Sequence, residues 1–371
     1  MRSYSLVLCL IALVDVEGRN LTALQARFRK WVDSPAGRSA ASGGFLRSKV
    51  TLERYFNAKL RSRALAALNP LADFAVTPFA LLSTSEFASY VNPAMEFALN
   101  DSSISDVGFS SDWTIVDDAG GAWGIEVHDD RSKDPVVAPT KVLGKPARRA
   151  DVDYVIDHSQ GKCLTAPRNQ GRCGDCWAFA ATSAIEGAYC IATNNSITLS
   201  EQQMTNCNTK SKGCGGGVVS QAINFARGGL CKLSDVPFTL GTKGIATNCT
   251  ACDLVNLGIA AVGKVTPTVE AFKTALAKSP IAVSLSAGNP IWQFYTGGIV
   301  TRGVAPTARI DHAVSIVGYG FSKGALVWKI RNSWGTGWGD GGYLHLAATT
   351  SANYTDGLFH VLSQGYVPIF R

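Results

Sequence analysis

The chain has 371 residues, of which 46% are hydrophobic and 17% are charged. This length and apolar content can fill a substantial core, and the low charged fraction argues against a disordered chain. The formal net charge of +7 is spread thinly, without a dense run of Lys or Arg. We therefore expect no nucleic-acid partner.

The N-terminus has the layout of a secretory signal. Arg2 precedes an apolar run at residues 6–14, and small and polar residues follow as far as Gly18. A buried strand or helix is the alternative, but the extreme N-terminal position favours a signal peptide over residues 1–18. No segment is long enough for a membrane span. We expect a product of the secretory pathway, either extracellular or held in a lysosome-like acidic vesicle.

Residues 19–99 form the first block after the signal and are rich in Ala, Leu and Arg. Within this block, residues 52–69 (LERYFNAKLRSRALAALN) have the periodicity of an amphipathic helix, which Asn69 followed by Pro70 would end. The residues expected near its apolar face are Tyr55, Phe56, Leu60, Leu65 and Leu68.

Residues 100–148 form a second block, rich in Ser, Asp and Gly, with acidic clusters and a basic stretch at residues 145–149. This composition predicts an exposed, flexible linker that is easily cut, with a maturation cut near residues 145–150.

The third block, residues 149–371, changes character along its length. Helical patterns at residues 177–192 and 218–227, with a capping box of Ser200 and Gln203 between them, come first. Strand-like runs then follow at 281–285, 313–317, 326–330 and 343–346. A helical half followed by a strand half predicts an α+β domain of two subdomains with a cleft between them.

Cys176 is the candidate nucleophile. It follows a small and polar stretch and opens the apolar helix, where the unpaired N–H groups of the first turn favour a thiolate. Cys173 and Cys176 could instead be a structural or redox pair, but a redox pair would not require a distant His and Asn.

His312 is the candidate base. Among five histidines it alone directly precedes an apolar strand, 136 residues after Cys176. Asn332 lies twenty residues further on and can hold the second ring nitrogen, while Trp334 can exclude water. The order Cys, His, Asn at these distances predicts a cysteine peptidase site.

Five segments of the third block carry a family resemblance: NQGRCGDCWAFA, LSEQQMTNC, GCGGG, DHAVSIVGYG and RNSWGTGWGDGGY. In this order they resemble the papain family of cysteine proteases, on its cathepsin L-like side. The resemblance implies a papain-like fold with a helical left half and a β-barrel-like right half, preceded by a mainly helical propeptide. It also implies a cysteine endopeptidase made as a zymogen, without cofactor or metal.

Site residues follow from the same resemblance. Gln170 would bind the oxyanion together with the backbone N–H of Cys176, and Gly216 and Gly217 would pair with the substrate strand. Gly174, Asp311 and Trp334 would also lie along the substrate cleft. The pocket for the second residue before the cut, implied to prefer an apolar side chain, would consist of Val218, Val219, Ser284, Ile310, Ala313 and Val361.

The first block resembles the family's propeptide, since FALLSTSEF (residues 79–87) and the positions of Arg54, Leu65 and Asn69 fit its pattern. The resemblance implies that the propeptide is an intramolecular inhibitor; a plain helical domain is the alternative. It further implies a monomer that acts on proteins and peptides and that cystatin-like inhibitors could block. The pattern has different residues at Val50, Ala58, Arg61, Ala75 and Leu81.

Asp175 is a further departure, because the family usually has Ser before the nucleophile. A carboxylate here should disfavour the thiolate, although an exposed charge would act only modestly.

Cys9 lies in the signal and Cys176 is the nucleophile, so eight cysteines remain for four bridges in an oxidising compartment. Resemblance pairs Cys173 with Cys214, and Cys163 with Cys190 as in cathepsin B-like enzymes. Of the remaining Cys207, Cys231, Cys249 and Cys252, we favour a Cys207–Cys249 bridge, with a zinc site as the alternative. Possible glycosylation sites are Asn20, Asn100, Asn194, Asn248 and Asn353.

Two other functions would use the same residues: a protease-shaped binding or inhibitory protein, and a transferase or transglutaminase. The first would usually lack the nucleophile or the base, and the second would not explain the signal, the propeptide-like block and the Gly-rich edge. No His lies between Cys176 and His312, so the cleft-blocking His loop of cathepsin B-like enzymes is missing. We therefore expect an endopeptidase.

Overall fold

The computed structural model describes residues 21–42, 52–91, 114–116, 122–124, 150–303, 308–351 and 354–370. The predicted signal peptide, most of the acidic linker, and Asn20, Asn100 and Asn353 lie outside the described residues.

Helices dominate the first block and residues 176–225, and strands dominate from residue 259 onward. The helices are α1 (Leu21–Val32), α2 (Pro35–Ser42), α3 (Leu52–Leu68), α4 (Thr84–Val91), α5 (Cys176–Thr193), α6 (Glu201–Cys207), α7 (Val219–Phe225), α8 (Val269–Leu276) and α9 (Pro290–Phe294). Short 3-10 turns occupy Gly213–Gly215, Ala226–Gly228 and Leu358–His360. The strands are β1 (Ala72–Phe74), β2 (Thr114–Val116), β3 (Ala122–Gly124), β4 (Asp153–Asp157), β5 (Ile259–Val265), β6 (Ile281–Leu285), β7 (Tyr295–Val300), β8 (His312–Ser322), β9 (Ala325–Arg331), β10 (Tyr343–Ala347) and β11 (Gln364–Phe370).

Helix α3 ends at Leu68, one residue before Asn69, as the sequence predicts. Tyr55 and Leu65 are buried, but the prediction for Leu60 is wrong, because 46% of that residue is exposed. Five residues on from Tyr55, Leu60 is rotated well away from the buried stripe of the helix.

Helix α5 forms the centre of the helical half. Most of its side chains are buried against α6, α7 and the sheet. The side chain of Ser200 caps α6 by accepting the backbone N–H of Gln203 at 3.0 Å. Arg168 joins the two helices, because its guanidinium contacts both oxygens of Glu186 and also binds Glu201.

The strand half is built on a nine-stranded sheet in the order β1-β7-β10-β9-β8-β6-β11-β5, with β4 paired to β8. The sheet is therefore open over the described residues rather than closed into a barrel. Ser284 of β6 lies opposite Ala313 of β8 on one side and Gln364 of β11 on the other. Because directly opposite residues share a face, these three side chains form a row.

The first strand of this sheet comes from the first block. Ala72 of β1 lies opposite Gly298 of β7 in an antiparallel pair. Gly298 has a φ of +71°, and a Cβ there would collide with the backbone oxygen of Leu71. The close approach of the two segments therefore requires glycine.

Four disulfides tie the helical half together. They join Cys163 to Cys190, Cys173 to Cys214, Cys207 to Cys249 and Cys231 to Cys252. The last two bridges exclude the alternative of a zinc site, because they use the four thiols that a zinc ion would need. Within the described part of the chain, no helix combines the length and the apolar character needed to cross a membrane.

The buried Arg168 cluster should matter more for stability than an exposed ion pair. The Arg168→Met change leaves Glu186 and Glu201 buried without their cation, which should lower the free energy of unfolding by about 3–5 kcal/mol. Urea unfolding with the disulfides intact measures this loss. In the control Lys273→Met, the lost partner Glu270 is 80% exposed, so the loss should stay below about 1 kcal/mol. Equal losses in the two variants would contradict a structural role for the cluster.

Candidate active site

Cys176 is the first residue of α5 and is the free cysteine of the described chain. Its thiol is buried, and the backbone N–H groups of Ala313 and Trp177 point to the sulfur. The residue at the N-cap, Asp175, makes no side-chain cap bond, so its carboxylate does not occupy the start of the helix. The nucleophile candidate therefore sits where helix N–H groups can stabilise a negative sulfur.

His312 is the first residue of β8 and is held by Asn332. Its Nε2 lies 2.8 Å from the Asn332 Oδ1, so the ring carries its hydrogen on Nε2 and donates it to the amide oxygen. The Trp334 ring covers the imidazole, with centroids 4.9 Å apart. Nδ1 is buried and has no hydrogen-bond partner among the described residues. This nitrogen is therefore free to take a proton.

Gln170 is fully buried in the loop before α5. Its Nε2 donates to the Cys173 carbonyl at 2.9 Å, and its Oε1 accepts the hydroxyl of Ser333. The backbone N–H of Gln170 also donates to the Ser333 carbonyl at 2.8 Å. These bonds fix the amide against the loop that carries Asn332 and leave its second hydrogen for another acceptor.

Burial keeps both reacting groups neutral in this conformation. Burial raises the pKa of the Cys176 thiol to about 12, against the opposing effect of the Ala313 N–H. Burial also lowers the pKa of His312 to about 4, which the bond to Asn332 opposes. Between these values the site holds a thiol and an imidazole rather than an ion pair.

Part of this burial comes from the first block. Phe79, Phe87 and Tyr90 pack on the Trp334 ring, with centroids 5.1, 5.6 and 6.1 Å away. Tyr90 is partly buried close to Cys176, and Val91 lines the same cleft as Cys176. Helix α4 therefore ends over the nucleophile.

Polar contacts hold that segment in place. Gln293 donates through Nε2 to the backbone oxygens of Phe79 and Leu82, at 3.0 and 2.9 Å. Asn69 accepts the backbone N–H groups of Thr301 and Arg302. Each contact joins the first block to the strand half.

The cleft between the two halves has a volume of about 430 Å³. Most of the residues expected along it do line it: Gly174, Cys176, Gly216, Gly217, Val218, Ser284, Ile310, Asp311, His312 and Ala313.

Three expected substrate contacts do not line this cleft while the first block is in place. Val219 starts α7 and packs into the helical core, while Val361 packs into the core of the strand half; each is 1% exposed. Trp334 is buried under the aromatic residues of the first block.

Sequence reasoning missed Gln364, Lys210 and Lys212, which do line the cleft. Gln364 lines the cleft because β11 pairs with β6 in a register that places it opposite Ser284. The sequence does not reveal this register. The two lysines stand shortly before Gly216 and Gly217, so their position was a usable signal.

Asp175, the residue before the nucleophile candidate, lies in the interior and not at the surface. The residue is fully buried, and Oδ2 accepts the Thr205 hydroxyl at 3.0 Å. Burial raises the pKa of Asp175 well above its usual value, and the neighbouring charge of Glu201 raises it further. The carboxyl group therefore points to α6, which carries Thr205.

A thiol, an imidazole held by an amide and a second amide in the loop before the thiol form the arrangement that cysteine-dependent acyl transfer uses. A family model described as papain family cysteine protease matches residues 152–358, more than half of the chain. The chain therefore belongs to the papain family of cysteine proteases.

Relatives and solved structures agree with this family. The chain is 36% identical over 197 residues to KDEL-tailed cysteine endopeptidase CEP2 of Arabidopsis thaliana, covering 52% of this chain and 53% of the relative. It is 39% identical to the probable cysteine protease RD21C of the same plant, covering 52% of this chain and 42% of the relative. The chain spans about half the length of the curated relatives it matches.

The ragweed pollen allergen Amb a 11 cysteine protease in its proform shares the fold of nearly the whole chain. Its crystal structure has a TM-score of 0.67 and 23% identity, covering 95% of this chain and 96% of that one. The Carica candamarcensis cysteine protease CMS1MS2 in complex with E-64 matches 58% of this chain and 98% of its own, with 33% identity and a TM-score of 0.52.

Replacing Asp175 should change how the thiol titrates. An ionised Asp175 raises the pKa of Cys176, so Asp175→Ser should lower it in the processed protein. The rate of iodoacetamide alkylation against pH measures this shift. At acid pH, where Asp175 is protonated, the variant and the parent should react alike, and the difference should grow as the pH rises.

The exposed Asp235 provides the control, because Asp235→Ser removes a carboxylate outside the cleft lining. Superimposable profiles for Asp175→Ser and the parent would show that Asp175 does not act on the thiol.

Proposed function

We propose that this chain is the precursor of a cysteine endopeptidase in which Cys176 attacks the peptide carbonyl and His312 transfers the protons. The observation that carries the proposal is the His312–Asn332 bond beneath Trp334, in the same cleft as Cys176. The cleft lies between a helical half and a strand half, where an extended peptide can enter.

The first step forms an acyl-enzyme. Cys176 gives its proton to the Nδ1 of His312, and the sulfur attacks the scissile carbonyl carbon. The resulting oxyanion accepts the backbone N–H of Cys176 and the free Nε2 hydrogen of Gln170. The tetrahedral species then expels the amine, which takes the proton from Nδ1 as it leaves.

Water completes the cycle. His312 removes a proton from water, which attacks the thioester carbon and releases the carboxylic acid product and the thiol. Throughout, Asn332 keeps the imidazole in the tautomer that has Nδ1 free, and Trp334 keeps water from the Asn332–His312 bond.

We propose that residues 19–99 inhibit the enzyme within its own chain. Tyr90 and Val91 occupy space over Cys176, and the aromatic cover of Trp334 anchors them. Removal of this block through a cut near residues 145–150 would let water and substrate reach the thiol. The proposed mature domain is then residues 149–371, after a signal peptide at 1–18 and a linker at 100–148.

The proposed substrate preference is an apolar side chain at the second residue before the cut. Val218, Ile310 and Ala313 provide apolar walls, and Ser284 and Gln364 add a polar end. For the cell, we propose the secretory pathway, because four disulfides need an oxidising compartment. Asn194 and Asn248 are exposed and can carry glycans there.

A thiol-directed epoxide probe tests the proposal. After acid processing, the probe should label Cys176, and a fluorogenic peptide with Leu or Phe at the second position before the cut should be hydrolysed. The Cys176→Ala change should abolish both signals without changing the circular dichroism spectrum. Absence of labelling and of turnover in the parent would refute a protease function and leave a binding protein.

Gln170 should act on the oxyanion and not on the thiol. The Gln170→Ala change should lower kcat by about 10²–10³-fold, because one oxyanion donor is lost, while alkylation of Cys176 by iodoacetamide should continue. A matched control is Gln221→Ala, at an exposed glutamine outside the cleft lining. If kcat falls less than about tenfold, or if alkylation falls in parallel, the oxyanion role is wrong.

A further inference from the structure

Two lysines line the cleft on the helical side. Lys210 and Lys212 are exposed and belong to the loop that leads to Gly216 and Gly217, the proposed edge for the substrate backbone. Neither lysine has an acidic partner among the described residues.

Backbone hydrogen bonds fix this loop against the glycine edge. The N–H of Lys212 donates to the Gly216 carbonyl at 2.8 Å, and the Lys212 carbonyl accepts the N–H of Gly215 at 2.9 Å. Between the lysines, Ser211 turns inward, since its Oγ would lie 2.8 Å from a Cβ on Gly217. The backbone positions of both lysines along the cleft are therefore set by the fold.

The described lining holds little negative charge to balance these lysines. Asp311 is the acidic residue among the cleft residues, and its carboxylate accepts the backbone N–H groups of Ala287 and Gly288. Burial raises the pKa of Asp311 to about 7, and the backbone N–H groups of Ala287 and Gly288 oppose this shift. Against this one acidic residue the described lining has two lysines, so the balance of charged side chains along the cleft is positive.

Resting on the proposed function, we infer that the enzyme prefers an acidic side chain at the third residue before the cut. In an extended peptide, successive side chains point to opposite sides. If the second residue enters the pocket of Val218, Ser284 and Ala313, the third points away from it. With its backbone on Gly216 and Gly217, that residue brings its side chain to Lys212, and Lys210 adds a second charge.

Three fluorogenic tripeptides test the inference: Glu-Leu-Gln, Gln-Leu-Gln and Lys-Leu-Gln, each with the reporter amine after Gln. Near pH 6 a glutamate side chain is ionised. At an ionic strength of about 0.01 M, kcat/KM should be about 3–10-fold higher for the Glu peptide than for the Gln peptide, and lowest for the Lys peptide. The Glu preference should shrink at about 0.5 M salt, because exposed charges are screened.

Variants of Lys210 and Lys212 test whether these two residues cause the preference for the Glu peptide. The double change Lys210→Gln and Lys212→Gln should bring the Glu-to-Gln ratio of kcat/KM close to one, and Lys212→Glu should place the Lys peptide above the Glu peptide. Lys278→Gln, at an exposed lysine outside the cleft lining, should keep the parent ratio. Titration with the epoxide probe normalises each preparation to active thiol.

The outcomes separate this inference from the proposed function. Hydrolysis of all three peptides with equal kcat/KM, or a preference that survives the double change, would overturn the inference and leave the protease function intact. Absence of hydrolysis together with absence of labelling at Cys176 would overturn the protease function itself.

Discussion

The geometry of the candidate site depends on the packing of Trp334. Its ring lies 4.9 Å from the His312 imidazole, and the same loop carries Asn332, which holds the ring nitrogen. Ser333, between them, binds the amide of Gln170. The loop of residues 332–334 therefore keeps His312, Asn332 and Gln170 in fixed relation, and a shift of this loop would disturb all three together.

The same ring is the surface on which the first block packs. Phe79, Phe87 and Tyr90 cover Trp334, yet the bond from His312 to Asn332 stays at 2.8 Å beneath them. The hydrogen bond between His312 and Asn332 is thus already formed while the first block covers the site. The cover excludes water from the site. Without water, the neutral thiol and the neutral imidazole are favoured over the ion pair. Under the proposed function, activation then requires removal of the cover and no rearrangement of the site.

How much the sequence predicts depends on whether a feature is local. The Ile281–Leu285 strand and the Ser200 cap follow from neighbouring residues, and the structure has both. The family and the α+β fold follow from motifs that stand in order along the chain. In contrast, Gln364 reaches the cleft through the pairing of β11 with β6, and Val361 is drawn into the core. The placement of Gln364 depends on strand register, and that of Val361 on the turn before β11; residue types alone specify neither.

Asp175 and Lys212 show how burial decides the effect of a charged residue close to a reactive thiol. Both charged residues lie near Cys176 or its cleft, but Asp175 is fully buried while Lys212 is exposed. An enclosed carboxyl group with one hydroxyl donor avoids its charge by keeping a proton, so its influence on the thiol depends on pH. An exposed ammonium keeps its charge and can act on a substrate, at a strength that salt controls. Under the proposed function, Asp175 therefore changes the pKa of the Cys176 thiol, and Lys212 helps to select the substrate.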